Sequence, residues 1–315
     1  MNAPILGLHH VTATVDDAQA DLDFAAGILG LRLVKKTVNF DNPFVYHFYY
    51  GDETGSPGTI WTTFPYRHHG VRPGRIGAGQ VTATAFSVPS ASLDGWRDRF
   101  ASLSIDTEPI ADRFGQTGLA FRDASGLRLE ILGADDDRKP WTGGNLEPAM
   151  AIRGIHSVTL TSRALTSTIE FMTGALGFVI ATADGDRTRL SVGGSGPGHI
   201  FDVVDGHERP PGVNGLGTVH HVAMAVSSSE EQLEMRRRLV DRGVVVTPVQ
   251  DRQYFQSIYF REPGGVLFEI ATMSPGFTVD EHIDGLGRAL KLPAWEEPNR
   301  PAIEAGLPGV TTPDA

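Results

Sequence analysis

The sequence predicts an α+β protein made of four copies of one β-α-β-β-β module, joined in pairs into two domains. Three observations lead there. A strand-like stretch recurs four times, as LGLHHVTATV from residue 6, AGQVTATAFSV from 78, IRGIHSVTLTS from 152 and LGTVHHVAMAV from 216. Each copy is followed by a segment with helical apolar spacing and then by short runs rich in β-branched and aromatic residues. One charged, Pro- and Gly-rich stretch, residues 134–150, separates the first two copies from the last two. A module of roughly 55 to 75 residues is smaller than a typical independent domain, so pairs should share a sheet. The expected layout is an N-terminal domain over 1–135 holding modules one and two, a linker over 136–150, a C-terminal domain over 151–273 holding modules three and four, and an arm over 274–315.

In module one the strand gives way to a helix over 16–29, introduced by Asp16, with Leu22, Ala25, Ala26 and Leu29 on one face. Strands follow at 31–38, 45–50 and 59–64. Helices of the other modules are expected over 90–103, 162–176 and 228–242, each opened by a serine that can cap it. Module four then continues as strands at 244–247, 257–261 and 267–272. Beyond Ser274-Pro275-Gly276 a short helix is expected over 279–290, followed by a Pro-rich tail lying on the body.

Composition excludes several classes of function. With 27 Lys and Arg against 38 Asp and Glu, the net charge of -11 argues against non-specific nucleic-acid binding and against an anionic membrane surface. The absence of cysteine rules out disulfides, iron–sulfur clusters, thiolate zinc sites and a cysteine nucleophile. Any metal must therefore be held by His, Asp or Glu. No apolar run approaches the roughly 20 residues of a membrane span, and the opening MNAPILGLHH lacks a basic stretch followed by an apolar one, so a cytoplasmic location is expected.

The doubled histidines of modules one and four carry the chemistry. Alternation along a strand turns His9, Val11 and Ala13 to one face, and His10, Thr12 and Thr14 to the other. It likewise separates His220, Val222 and Met224 from His221, Ala223 and Ala225. Small or mildly polar neighbours suit a ligand site, so His10 and His221 are the candidates. In VLFEIA, Val266, Phe268 and Ile270 turn to the apolar side and leave Glu269 on the histidine face. A buried carboxylate demands a cation or a basic partner. An arginine at a barrel rim would satisfy Glu269, but two imidazoles and a carboxylate also form the set that holds non-haem Fe(II) with open positions. Modules two and three offer Ala83 and Ser157 at the place of His221, with Glu130, His156 and Asp202 nearby, so one complete site per chain is expected, from modules one and four. His68-His69 lies in a Gly/Pro/Arg loop, GGSGPG at 193–198 reads as a turn, and no Ser-His-Asp constellation is evident.

Four such modules, with His on first strands and Glu on a last strand, resemble the vicinal oxygen chelate superfamily of glyoxalase I, bleomycin-resistance proteins and extradiol dioxygenases. More narrowly, the two HH pairs, GTVHHVA, DRQYFQSIYFREPGGVLFEIAT and GFTVDE resemble the hydroquinone-opening ring-cleavage dioxygenases of the chlorohydroquinone dioxygenase type, over nearly the whole chain. The resemblance implies two vicinal-oxygen-chelate domains, an Fe(II) ion (or Mn(II)) on His10, His221 and Glu269, and an extradiol-type opening of a small aromatic diol by O2 in aromatic catabolism. It places His220, Arg252 and Tyr259, and also His9, around the substrate. Read from the residues alone, each has another explanation: His9 and His220 as packing side chains, Arg252 as a surface cation, Tyr259 as core. Alternation in fact turns His9 and His220 away from the ligands, so direct contact would require a bulged strand. Hydroquinone or catechol, and monomer or homo-oligomer, are left open. Two other classes share the fold: a metal-dependent lyase or isomerase of the glyoxalase type, which usually needs a fourth protein ligand, and a metal-free binding protein of the bleomycin-resistance type, which needs no buried His-His-Glu set.

Overall fold

The computed structural model describes residues 4–312. Module one comprises β1 (Leu8–Val15), α1 (Ala18–Leu22), β2 (Arg32–Asn39), β3 (Asn42–Gly51) and β4 (Ile60–Pro65). Module two is β5 (Gln80–Val88), α2 (Leu93–Ser102), β6 (Glu108–Arg113), β7 (Gln116–Arg122) and β8 (Arg128–Gly133). Module three is β9 (Gly154–Ser162), α3 (Leu165–Leu176), β10 (Val179–Asp184), β11 (Arg187–Ser191) and β12 (Ile200–Asp205). Module four is β13 (Thr218–Val226), α4 (Ser229–Asp241), β14 (Gln250–Asp251), β15 (Gln256–Arg261) and β16 (Leu267–Thr272), and the tail carries α5 (Arg300–Gly306). The fourfold α+β repeat is therefore present as expected.

Local differences have local causes. Helix α1 starts two residues later than expected because Asp17, not Asp16, caps it by accepting from the Ala20 amide at 2.8 Å, and it widens into a π-helical turn over Asp23–Ile28. Leu22, Ala25 and Leu29 still face the core, with Ala26 half-buried. In module four, residues 244–247 form only a bridge from Val246 to Phe260. The helix expected over 279–290 is absent: short 3-10 turns at Phe277–Val279 and Ile283–Gly285 replace it. Gly287 takes a left-handed φ of +77°, where an added Cβ would lie 2.0 Å from the Leu33 carbonyl oxygen, so this segment is held against β2 instead.

The sheets do not pair module one with two and module three with four. One eight-stranded sheet runs β14-β15-β16-β13-β1-β4-β3-β2, joining modules one and four; the other runs β10-β11-β12-β9-β5-β8-β7-β6, joining two and three. The expected union of modules one and two within 1–135, and of three and four within 151–273, is thus corrected at the level of the sheet. Two crossover segments explain how. Residues 66–79 carry the chain from the first sheet to the second, 206–217 carry it back, and they run side by side, with Arg75 and Val213 exchanging backbone hydrogen bonds of 2.8 Å. Glycines permit the approach, since a Cβ on Gly77 would lie 2.4 Å from the Pro210 carbonyl. The 136–150 segment links two modules of the same sheet and is pinned, Trp96 donating its indole N–H to the Met150 carbonyl at 2.9 Å.

Helices cover the outer face of each sheet. Met235 and Leu239 of α4, like Val222 and Met224 of β13 beneath, are fully buried, each contributing about 1.5–3 kcal/mol. Asp21 is an exception in this layer. On the buried face of α1, its carboxylate accepts from the Tyr50 hydroxyl at 2.8 Å and the Thr63 hydroxyl at 2.5 Å, and burial pushes its pKa up to about 7. The folded chain therefore holds a proton here that the unfolded chain has already released, and this contribution to stability drains away as pH rises from the carboxylate range through about 7. Asp21→Asn, which keeps an acceptor for both hydroxyls, should flatten the fall in Tm between about pH 5 and about pH 8; an unchanged slope in thermal melts would assign the pH dependence elsewhere.

Candidate metal centre

Strands β1 and β13 lie antiparallel at the middle of the first sheet, with Thr12 opposite His221 and His10 opposite Ala223. The register slips by one residue between Leu8 and His10, and again between Thr12 and Ala13, so His9 and His220 are each the additional residue of a β-bulge. The bulges remove the strict alternation read from the sequence. Nδ1 of His9 lies 2.8 Å from Nδ1 of His10, and Nδ1 of His220 lies 2.7 Å from Nδ1 of His221. Each doubled histidine is a contacting pair of rings.

Glu269 enters from β16, beside Ala223 and opposite Tyr259. Its Oε2 lies 2.8 Å from Nε2 of His221 and 3.3 Å from Nε2 of His10, and those two nitrogens are 3.2 Å apart. Among the described residues this is the one group of three donors close enough to hold a metal ion, all within 4.8 Å of one another and all buried. Ser257 donates to Oε1 of Glu269, whereas Oε2 takes no properly directed hydrogen bond although it is fully buried. An ionised oxygen so placed is costly unless a cation meets it. Burial would push this carboxyl up, but His10 and His221 hold it well below the usual carboxylate range. The donor set fits a divalent cation of the kind that accepts mixed imidazole and carboxylate ligands.

For Nε2 of His10 to serve as a donor its proton must sit on Nδ1, which then donates to Nδ1 of His9 and leaves the His9 proton on Nε2. The same reasoning puts the His221 proton between His221 and His220. Burial lowers the His9 pKa to about 3, so that ring is neutral, as an acceptor must be. His9 is 2 % exposed, packs 5.0 Å from the Phe255 ring and is not among the residues lining the cavity, so its contact is with His10. His220 is exposed and does line the cavity.

That cavity, about 360 Å³, opens over His10 and His221. Arg252 and Tyr259 form one wall. The Arg252 Nε–H donates to the Tyr259 oxygen at 3.1 Å, and its Nη2 donates to Gln250 at 2.5 Å, so Arg252 is built into the site. Burial raises the Tyr259 pKa, which keeps the phenol protonated, and with Arg252 donating to its oxygen the hydroxyl proton can turn into the cavity. The opposite wall, His47, Tyr49 and Phe64, was not anticipated from the sequence, although alternation along NPFVYHFYYG turns His47 and Tyr49 to one side. His47 is wedged between those rings, its centroid 4.0 Å from Tyr49 and 4.2 Å from Phe64, and shares a hydrogen bond with the Thr62 hydroxyl. The Thr12 hydroxyl on the cavity wall is buried without a partner, a second polar atom that a ligand could satisfy.

The GFTVDE segment closes the back. Phe277 packs 4.9 Å from Tyr49 and 5.0 Å from Tyr254, while Asp280, at 2.6 Å, and Glu281 neutralise the fully buried Lys35 of β2. His68 and His69 are exposed loop residues. In the second sheet Glu130 is gripped by Arg113 and Asp202 by Arg189, and the His156 Nδ1 lies 2.9 Å from the Ser157 hydroxyl, so the equivalent positions are filled by ion pairs and a hydroxyl.

This fold and donor set define the class. The chain belongs to the Glyoxalase/Bleomycin resistance protein/Dioxygenase superfamily, whose family model matches residues 7–131 and 154–270. It is 43% identical over 305 residues, 96% of either chain, to MhqO of Bacillus subtilis (strain 168), a protein provisionally named a ring-cleaving dioxygenase. It is 38% identical over 295 residues, 91% of either chain, to the chlorohydroquinone/hydroquinone 1,2-dioxygenase of Sphingobium indicum. A crystal structure of a provisionally named dioxygenase from Bacillus subtilis superposes with a TM-score of 0.94 at 40% identity, covering 99% of this chain and 100% of that one. Glyoxalase I from Zea mays shares the fold at a TM-score of 0.63 and 14% identity, over 85% of this chain and 92% of that one.

If the three donors act on one cation, His10→Ala, His221→Ala and Glu269→Ala should each lose, in elemental analysis of iron-reconstituted protein, the roughly one equivalent per chain that the unaltered protein takes up. His156→Ala in the second sheet should keep it; iron retained by the His10→Ala protein but lost from the His156→Ala protein would overturn the assignment.

Proposed function

We propose that the chain is a ring-cleaving dioxygenase that opens a hydroquinone- or catechol-type ring with O2, using Fe(II), or Mn(II) in its place, on His10, His221 and Glu269. The observation that carries this reading is the convergence of His10 Nε2, His221 Nε2 and the unpaired Oε2 of Glu269 beneath an aromatic-walled cavity. The names of the relatives support it. In the reaction a carbon–carbon bond beside a hydroxyl-bearing carbon breaks, both oxygen atoms of O2 enter the product, and the ring supplies the electrons that reduce them. When bound, the metal supplies the redox coupling between ring and O2 and leaves room for both reactants.

The protein's own groups do the rest. His9 and His220 hold the ligand imidazoles in the required tautomer. Phe64, Tyr49 and Phe255 form an apolar slot that accepts a flat ring and limits water. A hydroquinone has hydroxyls too far apart to chelate, so its ring must be steered from the walls. Tyr259, held by Arg252, points a proton donor into the space, and His220, its Nδ1 occupied by His221, presents its Nε2–H to the cavity as a second donor.

The register argues against the glyoxalase-type alternative. Thr62 stands beside Thr12 on β4 as Glu269 stands beside Ala223 on β16, so the place where a fourth protein ligand would arise holds a hydroxyl already bonded to His47. The centre has three protein donors and room for exchangeable ligands. A metal-free binding protein would have no use for an ionised, unpaired Oε2 at zero exposure.

Tyr259→Phe keeps the ring volume and removes the hydroxyl. In an oxygen electrode, with a panel of hydroquinones and catechols, this variant should bind iron normally and turn over about 10²-fold more slowly; wild-type turnover in the iron-replete variant would return Tyr259 to a packing role.

A further inference from the structure

A second cavity lies on the other sheet, where the internal repeat would place a second metal centre. About 540 Å³ in volume, it is lined by Thr82, Ala83 and Glu130, the counterparts in module two of the residues at the metal centre. Its chemistry is inverted. Arg113, Arg122, Arg128, Arg187 and Arg209 line it, while Glu130 and Asp186 are the carboxylates among its lining residues. A concentration of positive charge stands out in a chain whose net charge is -11.

The internal ion pairs do not use this charge up. Glu130 is committed to Arg113, with Nη2 to Oε1 at 3.0 Å, and Arg128 pairs with Glu108 at 3.1 Å, so neither Arg113 nor Arg128 carries the surplus alone. Arg187 spends its Nη1 on the Thr159 hydroxyl at 3.1 Å and on Asp202 at 3.2 Å, but Asp202 is already forked by Arg189 at 2.7 and 3.0 Å. Arg122 donates to a backbone carbonyl, that of Gly126 at 2.7 Å, and gains no charge partner by it. Arg209 reaches Asp186 only at 3.7 Å. Burial, and after it the charges of Arg113, lowers the Arg187 pKa, as expected where guanidinium groups crowd together. Each guanidinium has five N–H donors in a planar fork, matched to oxyanions. Several of these donors are left for a ligand inside a concave site.

We propose that this cavity is a binding site for a small dianionic oxyanion, a dicarboxylate or a phosphate-type group, held between the fixed Arg113 and Arg187 on the sheet and the more exposed Arg122 and Arg209 at the rim. The excess of arginine over carboxylate selects two negative charges over one. The position, on the sheet that lacks the His-His-Glu set, makes it independent of the metal centre.

Isothermal titration calorimetry on the full-length, metal-loaded protein in a low-ionic-strength chloride buffer tests this, with succinate, inorganic phosphate and acetate titrated separately. Succinate or phosphate should bind one per chain, at least about tenfold tighter than acetate, with affinity falling as salt rises. Whichever dianion binds identifies the source chemistry. The double variant R122Q/R209Q changes two rim residues and should fold and keep its metal, yet weaken that binding at least about tenfold. Absence of saturable binding by both dianions, or binding unchanged in R122Q/R209Q, would overturn the proposal.

Discussion

The antiparallel pairing of β1 with β13 is the contact on which the site depends. It brings together His10 and His221, 211 residues apart in the chain, and lets both meet Glu269. The bulges at His9 and His220 complete the arrangement, since an unbulged ladder would have sent one ring of each pair to the opposite face. The carboxylate gains from this as much as the chemistry does. Glu269 at zero exposure is sustained by two imidazoles, a serine hydroxyl and, in the metal-loaded protein, a cation.

The two sheets solve one problem in two ways. Both bring a carboxylate of module two or four onto a concave inner face, and burial of that charge must be offset. In the first sheet imidazoles answer Glu269 and leave one oxygen free; in the second, Arg113 grips Glu130 through two nitrogens and Arg189 grips Asp202. Arginine is permanently charged and fills the coordination space that a metal would need. Repetition of the module therefore preserves the scaffold while changing the ligand class from metal to, in our reading, oxyanion.

The arm beyond β16 belongs to the site. Lys35 is buried on β2 and would be intolerable there without Asp280 and Glu281, so the electrostatics of a strand residue secure a segment far away in the chain. Phe277 fills the gap between Tyr49 and Tyr254 in the same stroke. The arm thereby backs the aromatic wall of the cavity.

Local sequence determined the modules, because period-two and period-3.6 patterns are properties of neighbouring residues, and it singled out His10, His221 and Glu269 through alternation and the comparison of copies. Alternation failed at His9 and His220, since a bulge is set by how two strands fit together. It also left Arg252 and Tyr259 undecided between site and surface or core until the Arg252–Tyr259 hydrogen bond tied them to the cavity. The opposite wall, His47, Tyr49 and Phe64, carried no motif: aromatic alternation on β3 describes any half-buried strand. Which modules share a sheet was decided only by tertiary structure. The pairing of module one with module four goes together with the close, glycine-permitted passage of segments 66–79 and 206–217, a contact between distant stretches that no local pattern encodes.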